Sequence, residues 1–372
     1  MGAGTAQGGA CLLISGKVRK NMEFVVFAGV LLLLFIFMIV QELIQTKNQE
    51  KLFKKYLREN YGKEPPKEYS LERFARLGSY LERHKEEKQL DDITWNDLGM
   101  DEVFRRIDRT YSAAGEEYLY YTLRNISCGR EALEHLEEVV NWLQEQENIK
   151  VRIQLLMKRL GHLGKYSLYD YLDNLDYLGE RSNRKIVLGN LLYLPFLLLL
   201  FVQPAMGTIG IVLCMLWHIM TYFREKKVIE PYIISFAYVL RLIDVCEELE
   251  KQKIPVYRRE LDELREALKS LRELRRGAYW VMAGNQGKIG GNPLDILADY
   301  LRMILHLDIF QFNRMLEKLR KKTGQVENML AITGYLDMAI SVGGFRKSLE
   351  GYCIPKLEED TEKAFLHMKK GW

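Results

Sequence analysis

The chain has 372 residues, 28% charged and 48% hydrophobic, with 54 Lys and Arg against 50 Asp and Glu and a formal net charge of +4. A mean hydropathy of −0.18 is too polar for a chain made mostly of membrane spans, and a small net charge with interleaved signs excludes a global basic footprint for nucleic acid. The 5 cysteines form no C-x-x-C pair, which argues against a disulfide framework or a zinc site and suits a reducing cytoplasm.

In chain order, residues 1–23 are rich in Gly and Ala and carry Lys17, Arg19 and Lys20. Residues 24–43 hold the first predicted span, in which Phe24 to Val40 is apolar apart from one small residue. A run of about 17 residues is near the lower limit for crossing a hydrocarbon core of roughly 30 Å. Residues 44–90 read as a charged helical linker and 91–185 as a first block of helices. Residues 186–223 read as a hairpin of two further spans, Ile186 to Val202 and Thr208 to Phe223, joined by Gln203-Pro204-Ala205-Met206-Gly207. A second helical block fills 224–357, and 358–372 is a short tail.

Orientation follows from the cations. Arg181, Arg184 and Lys185 precede the second span and Arg224, Lys226 and Lys227 follow the third, while the hairpin tip carries none. The positive-inside rule therefore predicts the tip outside, both helical blocks in the cytoplasm and the N-terminus outside. Lys47, Lys51, Lys54, Lys55 and Arg58 agree, whereas Lys17, Arg19 and Lys20 oppose it; a start at Met22 resolves the conflict. The competing reading is a cleaved signal peptide over residues 1–40, but the apolar run is long for one and no small-residue cleavage site follows. Lys51, Lys54, Lys55, Arg58 and Lys63 suit anionic lipid as well as topology. Tyr193, Trp217 and Tyr222 read as interface anchors or packing residues, and His218 as a polar group near the interface.

The polar blocks read as helix, because Pro is scarce and no long alternating run of β-branched residues suggests a sheet. Leu261, Leu264, Leu268, Leu271 and Leu274 recur at steps of three and four between Glu260 and Arg276, the stripe of an amphipathic helix. A similar pattern runs from Leu294 to Leu319. Gly277 to Pro293 between them is the clearest loop, and its Gly284-Asn285-Gln286-Gly287-Lys288 fails as a phosphate loop, having two residues between glycines and Ile289 after the lysine. His84, His135, His162, His218, His306 and His367 are isolated in sequence, so no metal-ligand spacing and no nucleophile triad is visible.

The most specific segment runs from Asp97 to Arg124. Val103, Phe104 and Ile107 give one helix an apolar face; Ser112 is an N-cap for the next, with Glu116 and Glu117 in its first turn and Leu119, Tyr120 and Leu123 as its buried face. Ala113, Ala114 and Gly115 let the two helices meet in a tight elbow. This elbow resembles the opening of the core domain of the MutS family. Asp299 to Asp308, then Leu336-Asp337-Met338-Ala339-Ile340-Ser341, resemble the end of that core, and Tyr352-Cys353-Ile354-Pro355-Lys356-Leu357 looks like the link into the family's ATPase domain. The likeness covers roughly residues 90–180 and 228–360, and is nearest to a membrane-anchored, MutS-like group of bacterial proteins.

The resemblance implies a DNA mismatch repair core and lever moved by ATP, a homodimer, and an ATPase domain that would bring ATP and Mg. No Walker motif occurs in these residues, and a membrane span and a charged helical linker stand where mismatch-recognising members carry their wedge domain, so the sequence reads as a core whose ATPase half is truncated or separately encoded, with no cofactor of its own. Candidate DNA contacts are Arg258, Arg259, Arg265, Lys269, Arg272, Arg275 and Arg276 beside Tyr279 and Trp280, and the cluster Lys318, Arg320, Lys321 and Lys322. Acidic neighbours at helical spacing make the first group equally a solvated face. The expected architecture is all-α: three transmembrane helices at a bacterial cell membrane with a cytoplasmic, MutS-core-like bundle that does no catalysis itself. Its partners would be membrane lipid and DNA. The rival expectation is a membrane-tethered scaffold for a protein partner.

Overall fold

A computed structural model describes residues 36–41, 44–63, 69, 71–85, 88–126, 129–163, 167–275 and 293–355. The first predicted span, the start at Met22 and the Gly-rich loop lie outside these residues apart from the helical 36–41 and Pro293, as does Arg276. The chain divides into two units at Asn60, and each is described by itself. In the first, residues 44–60 form one helix, α1, with i,i+4 ion pairs Lys54–Glu50 (2.5 Å) and Lys55–Glu59 (3.7 Å) on its surface.

The second unit is helical, and among its described residues the only β pairing is an isolated bridge between Gln89 and Asn125. Its helices are α2 (Leu71–Arg83), α3 (Asp92–Asp97), α4 (Met100–Ile107), α5 (Ala113–Arg124), α6 (Arg130–Glu145), α7 (Glu147–Leu160) and α8 (Leu168–Asp173). There follow α9 (Arg184–Leu191), α10 (Tyr193–Val202), α11 (Pro204–Glu250), α12 (Arg258–Leu271), α13 (Pro293–Leu305), α14 (Leu307–Arg320) and α15 (Thr323–Ser348).

At the centre lies α15. Its sequence is apolar or small nearly all round, and Val326, Met329, Leu330, Ile332, Leu336, Met338, Ala339 and Ile340 are all buried, as expected of a helix covered on every side. α5, α6, α7 and α12 pack around it. The leucine stripe of α12 is buried as its spacing predicts, Leu261, Leu264, Leu268 and Leu271 facing the core and Leu274 following in a 3-10 turn.

Two segments, Arg184–Val202 and Pro204–Glu230, are long and apolar enough to cross a membrane. The hairpin tip is tighter than the five-residue turn predicted from sequence: Gln203 alone separates α10 from α11, and Pro204 takes the first helical position, where its missing N–H costs nothing. Nor does the last span end at Phe223. α11 continues without interruption for 47 residues, about 70 Å at 1.5 Å per residue, from the tip into the helical body. Along it the apolar side chains change partners: Leu213, Leu216 and Met220 are exposed, whereas Phe236, Val239, Leu242 and Leu249 are buried. A contiguous exposed apolar surface of this kind on a helix pair marks contact with something other than water.

A second departure lies between Leu294 and Leu319, where an unbroken apolar periodicity predicts one helix. The structure has two, α13 and α14, broken at His306 with φ of 52°.

Candidate functional site

The elbow is built from its residues upward. Asp108 ends α4 in an extended conformation, and its Oδ1 accepts from the Thr110 backbone N–H (3.0 Å) and hydroxyl (2.6 Å), an Asx turn that swings the chain round. The Tyr69 hydroxyl donates to Asp108 Oδ2 (2.5 Å). Ser112 then caps α5 as the sequence predicts, its hydroxyl accepting from the Gly115 N–H (3.1 Å).

What fixes the elbow in space is the Leu-Asp-x-x-x-Ser stretch of α15. Asp337, fully buried, accepts from the N–H of Tyr111 (3.0 Å), the N–H of Ser112 (2.8 Å) and the Ser112 hydroxyl (2.6 Å). One turn further on, the Ser341 hydroxyl donates to the Ile107 carbonyl and accepts from the Arg109 N–H, each at 2.7 Å. The donors that the elbow's irregular backbone cannot place in a helix are thus taken by two side chains of another helix. Close approach makes this geometry attainable. A Cβ on Gly115 would lie 2.7 Å from the Asp337 Cβ, and one on Gly334 2.6 Å from the Ala114 carbonyl oxygen.

Sequence reasoning places Glu116 and Glu117 near the start of α5 as dipole partners; both are buried. Glu116 is bound by Arg73 and by Arg76 (2.7 Å), with His162 at 3.4 Å. Glu117 accepts from the Ser167 hydroxyl (2.9 Å), and burial pushes its carboxyl up to about 8, against the opposing pull of Ser167 and Arg76. At neutral pH the neighbouring carboxyls therefore play different parts: Glu116 meets arginines and Glu117 is largely protonated. Val103 is exposed, so the apolar face of α4 is carried by Phe104 and Ile107.

The candidate DNA-contacting cations fall into two kinds. Arg258, Arg259, Arg265, Lys269 and Arg272 are exposed around α12. Of these, Arg265 is held by Glu250 (2.6 Å) and Asp262 (2.8 Å), and Arg259 lies 3.5 Å from Glu263. In the cluster at the end of α14, Arg320 is turned inward, donating to the carbonyls of Leu175 (2.6 Å) and Gly179 (3.0 Å) and pairing with Asp176, whereas Lys321 is exposed, 3.8 Å from Glu317. Lys318 is half-buried, and Lys322 donates to the Ser270 carbonyl of α12, which brings the two groups side by side. Arg275 lies on the 3-10 turn after α12.

Of the residues expected as interface anchors or packing, Tyr222 packs: it and His218 are buried where the hairpin meets α13 and α14. No local signal marks this, because their partners lie some eighty residues away. Cys214 and Cys246 are buried and Cys353 is exposed, all three as free thiols. Among the described residues no three His, Cys, Asp or Glu side chains form a group that could hold a metal ion. Compared with protein-family models, curated proteins and solved structures, the chain matches none.

Proposed function

We propose that this chain is a membrane-anchored, MutS-like core and lever protein, attached by three spans, whose helical body lies in the cytoplasm and engages DNA or a protein partner without catalysing a reaction itself. One observation carries the reading: the two stretches that resemble the opening and the end of the MutS core, more than two hundred residues apart in sequence, meet as elbow and clamp through Asp337 and Ser341. The 47-residue α11 adds to it, since one rigid helix running from the hairpin into the body is the part a lever needs. In this reading a homodimer or a separately supplied ATPase half would move the lever, and ATP and Mg would bind there.

A second reading, a tethered scaffold with no nucleic-acid role, is favoured by the pairing of Arg259, Arg265, Arg320 and Lys321 with acidic side chains. The two separate in one titration of the full chain in neutral-lipid nanodiscs with duplex DNA over a range of salt. Under the first, log K falls with log salt by about 0.9 per phosphate contacted. Absence of binding at low salt leaves the scaffold.

A further inference from the structure

The break between α13 and α14 is held open by the base of the hairpin. His306 adopts the left-handed conformation, which a residue bearing a Cβ rarely takes without support. On either side of it, Asn190 Nδ2 donates to the Leu305 carbonyl (3.1 Å) and Asn183 Nδ2 to the Phe310 carbonyl (3.0 Å). The Tyr222 hydroxyl donates to Asp308 Oδ2 (2.8 Å), and Asp308 Oδ1 accepts from the Ile309 N–H (2.9 Å).

The His306 ring itself is 5% exposed as a residue and sits edge-on to His218, 2% exposed, with ring centroids 5.4 Å apart. His306 Nε2 lies 3.3 Å from Thr221 Oγ1, whose single proton is already directed at the carbonyls of Trp217 (3.0 Å) and His218 (2.9 Å). The contact therefore requires that His306 Nε2 donate. His218 Nδ1 lies 2.9 Å from the Cys214 carbonyl and must likewise carry the proton, which leaves its Nε2 against α9, where a Cβ on Gly189 would come within 3.1 Å. In the neutral tautomer that this geometry selects, His306 keeps its proton on Nε2, against Thr221 and the buried His218 ring.

We propose that His306 makes this a proton-operated joint: as a neutral ring packed on His218 it holds the α13–α14 break against α11, and its protonation releases it.

The surrounding charges leave that response in place. Facing His306 are His218, Tyr222 and Glu225 on α11, the Ile304 carbonyl on α13 and Asp308 on α14; Asp299 and Arg302 on α13 act on the adjacent Tyr222, and Cys214 on α11 and Tyr193 on α10 face His218. Arg302 pairs with Asp299 (3.0 Å), Arg181 with Glu225, and Asp308 is engaged by Tyr222 and Ile309. Burial first, and then His218, hold the His306 imidazole below its ordinary value, while the Ile304 carbonyl, Asp308 and Glu225 pull the other way. A depressed value in the closed joint means that the open one binds more protons. Closure is complete at pH above the ordinary imidazole value of about 6.5 and weakens as pH falls below it.

The joint rests on this packing alone and on neither reading of the ligand. Its test is hydrogen exchange of residues 303–312 in the full chain in nanodiscs, at about pH 7.5 and about pH 5.5, on either side of the ordinary imidazole value and corrected for intrinsic exchange rates. Wild type should lose protection there by about tenfold or more at the lower pH, while α15 keeps its own. His306→Asn, which tolerates the left-handed conformation and does not titrate, should keep protection at both values. Unchanged protection in wild type, or a loss in His306→Asn as large as in wild type, overturns the proposal. Should His306→Asn lower the protection of α15 as well, His218→Gln decides: a smaller pH-dependent loss supports the joint, an undiminished one overturns it.

Discussion

The two polar joints of this molecule, the elbow against α15 and the hairpin base against the α13–α14 break, do the same mechanical task with different chemistry. At the elbow a carboxylate with no exposed surface takes three donors at once, and glycines bring the backbones together. At the hairpin base two amides and one imidazole make one bond each, and a buried carboxylate, Asp308, takes a single bond from the hairpin, that of Tyr222. Charge-assisted bonds to a buried carboxylate are roughly twice as strong as neutral ones and costly to leave unmade. The comparison teaches which joint is fixed and which can move: the elbow should open only with global unfolding, the hairpin base before it.

The largest expected effect breaks the fixed joint. Asp337→Ala leaves the N–H groups of Tyr111 and Ser112 buried without their acceptor, and at about 1–3 kcal/mol for each such group it should cost about 3–5 kcal/mol in denaturant titration. Gly115→Ala comes next. Its methyl would collide with Asp337, and overpacking of this kind costs about 1–3 kcal/mol. A loss below about 0.5 kcal/mol, the range of an ordinary surface substitution, would show that the helices separate freely there and would undo the distinction between the joints.

How much of this was legible in the sequence differs between the joints in the same way. Ser112, Ala113, Ala114 and Gly115 announce the elbow, because caps and close-packing corners are local signals. The resemblance singled out the Leu-Asp-x-x-x-Ser stretch, but that Asp337 clamps the elbow is seen only in the structure, since periodicity does not say which helix faces which. The burial of Glu116 and Glu117 has no local sign, because the groups that meet them, Arg73, Arg76 and Ser167, come from distant segments. The break at His306 gave no sign: neither Gly nor Pro stands there, and the apolar period of Leu294 to Leu319 runs through it. The continuity of α11 was hidden by the change in its surroundings, which turns an all-round apolar pattern into a mixed one near Phe223 although the backbone does not alter.

Glu117 sharpens the comparison through pH. Its carboxyl is raised from the ordinary 4.5 to about 8, so the folded chain holds a proton that the unfolded chain gives up across that window. Stability should therefore fall as pH rises from about 4.5 to about 8, with a slope of at most about 1.4 kcal/mol per pH unit from this group. Glu117→Gln keeps an acceptor for Ser167 and removes the proton exchange. Denaturant titrations at several pH values should show a flatter profile for the variant and a relative gain at the alkaline end; equal slopes would mean that Glu117 is ionised. At the hairpin base, Tyr222→Phe deletes one bond to Asp308 while the Ile309 N–H still meets the carboxylate. A loss of about 1.5 kcal/mol in thermal unfolding, the low end for a bond to a carboxylate, is expected, below that of Asp337→Ala.

The smallest effect separates structural cations from binding ones. Arg259 projects from α12 and, among the described residues, pairs with Glu263 at 3.5 Å across one helical turn. An exposed pair of this kind contributes little, so Arg259→Ala should change stability by less than about 0.5 kcal/mol. That makes it a clean probe of the DNA reading, because any change in binding cannot be blamed on the fold. If Arg259 contacts a phosphate, the variant should weaken binding to unrelated duplexes alike and reduce the salt slope by about 1. If the slope is unchanged although DNA binds, the contact lies elsewhere, and the exposed Arg258, Lys269 and Arg272 are the next to test. Arg320 is the poorer choice despite its place in the densest basic run. Its guanidinium already serves the Leu175 and Gly179 carbonyls, so its removal would disturb the body before it disturbed any ligand.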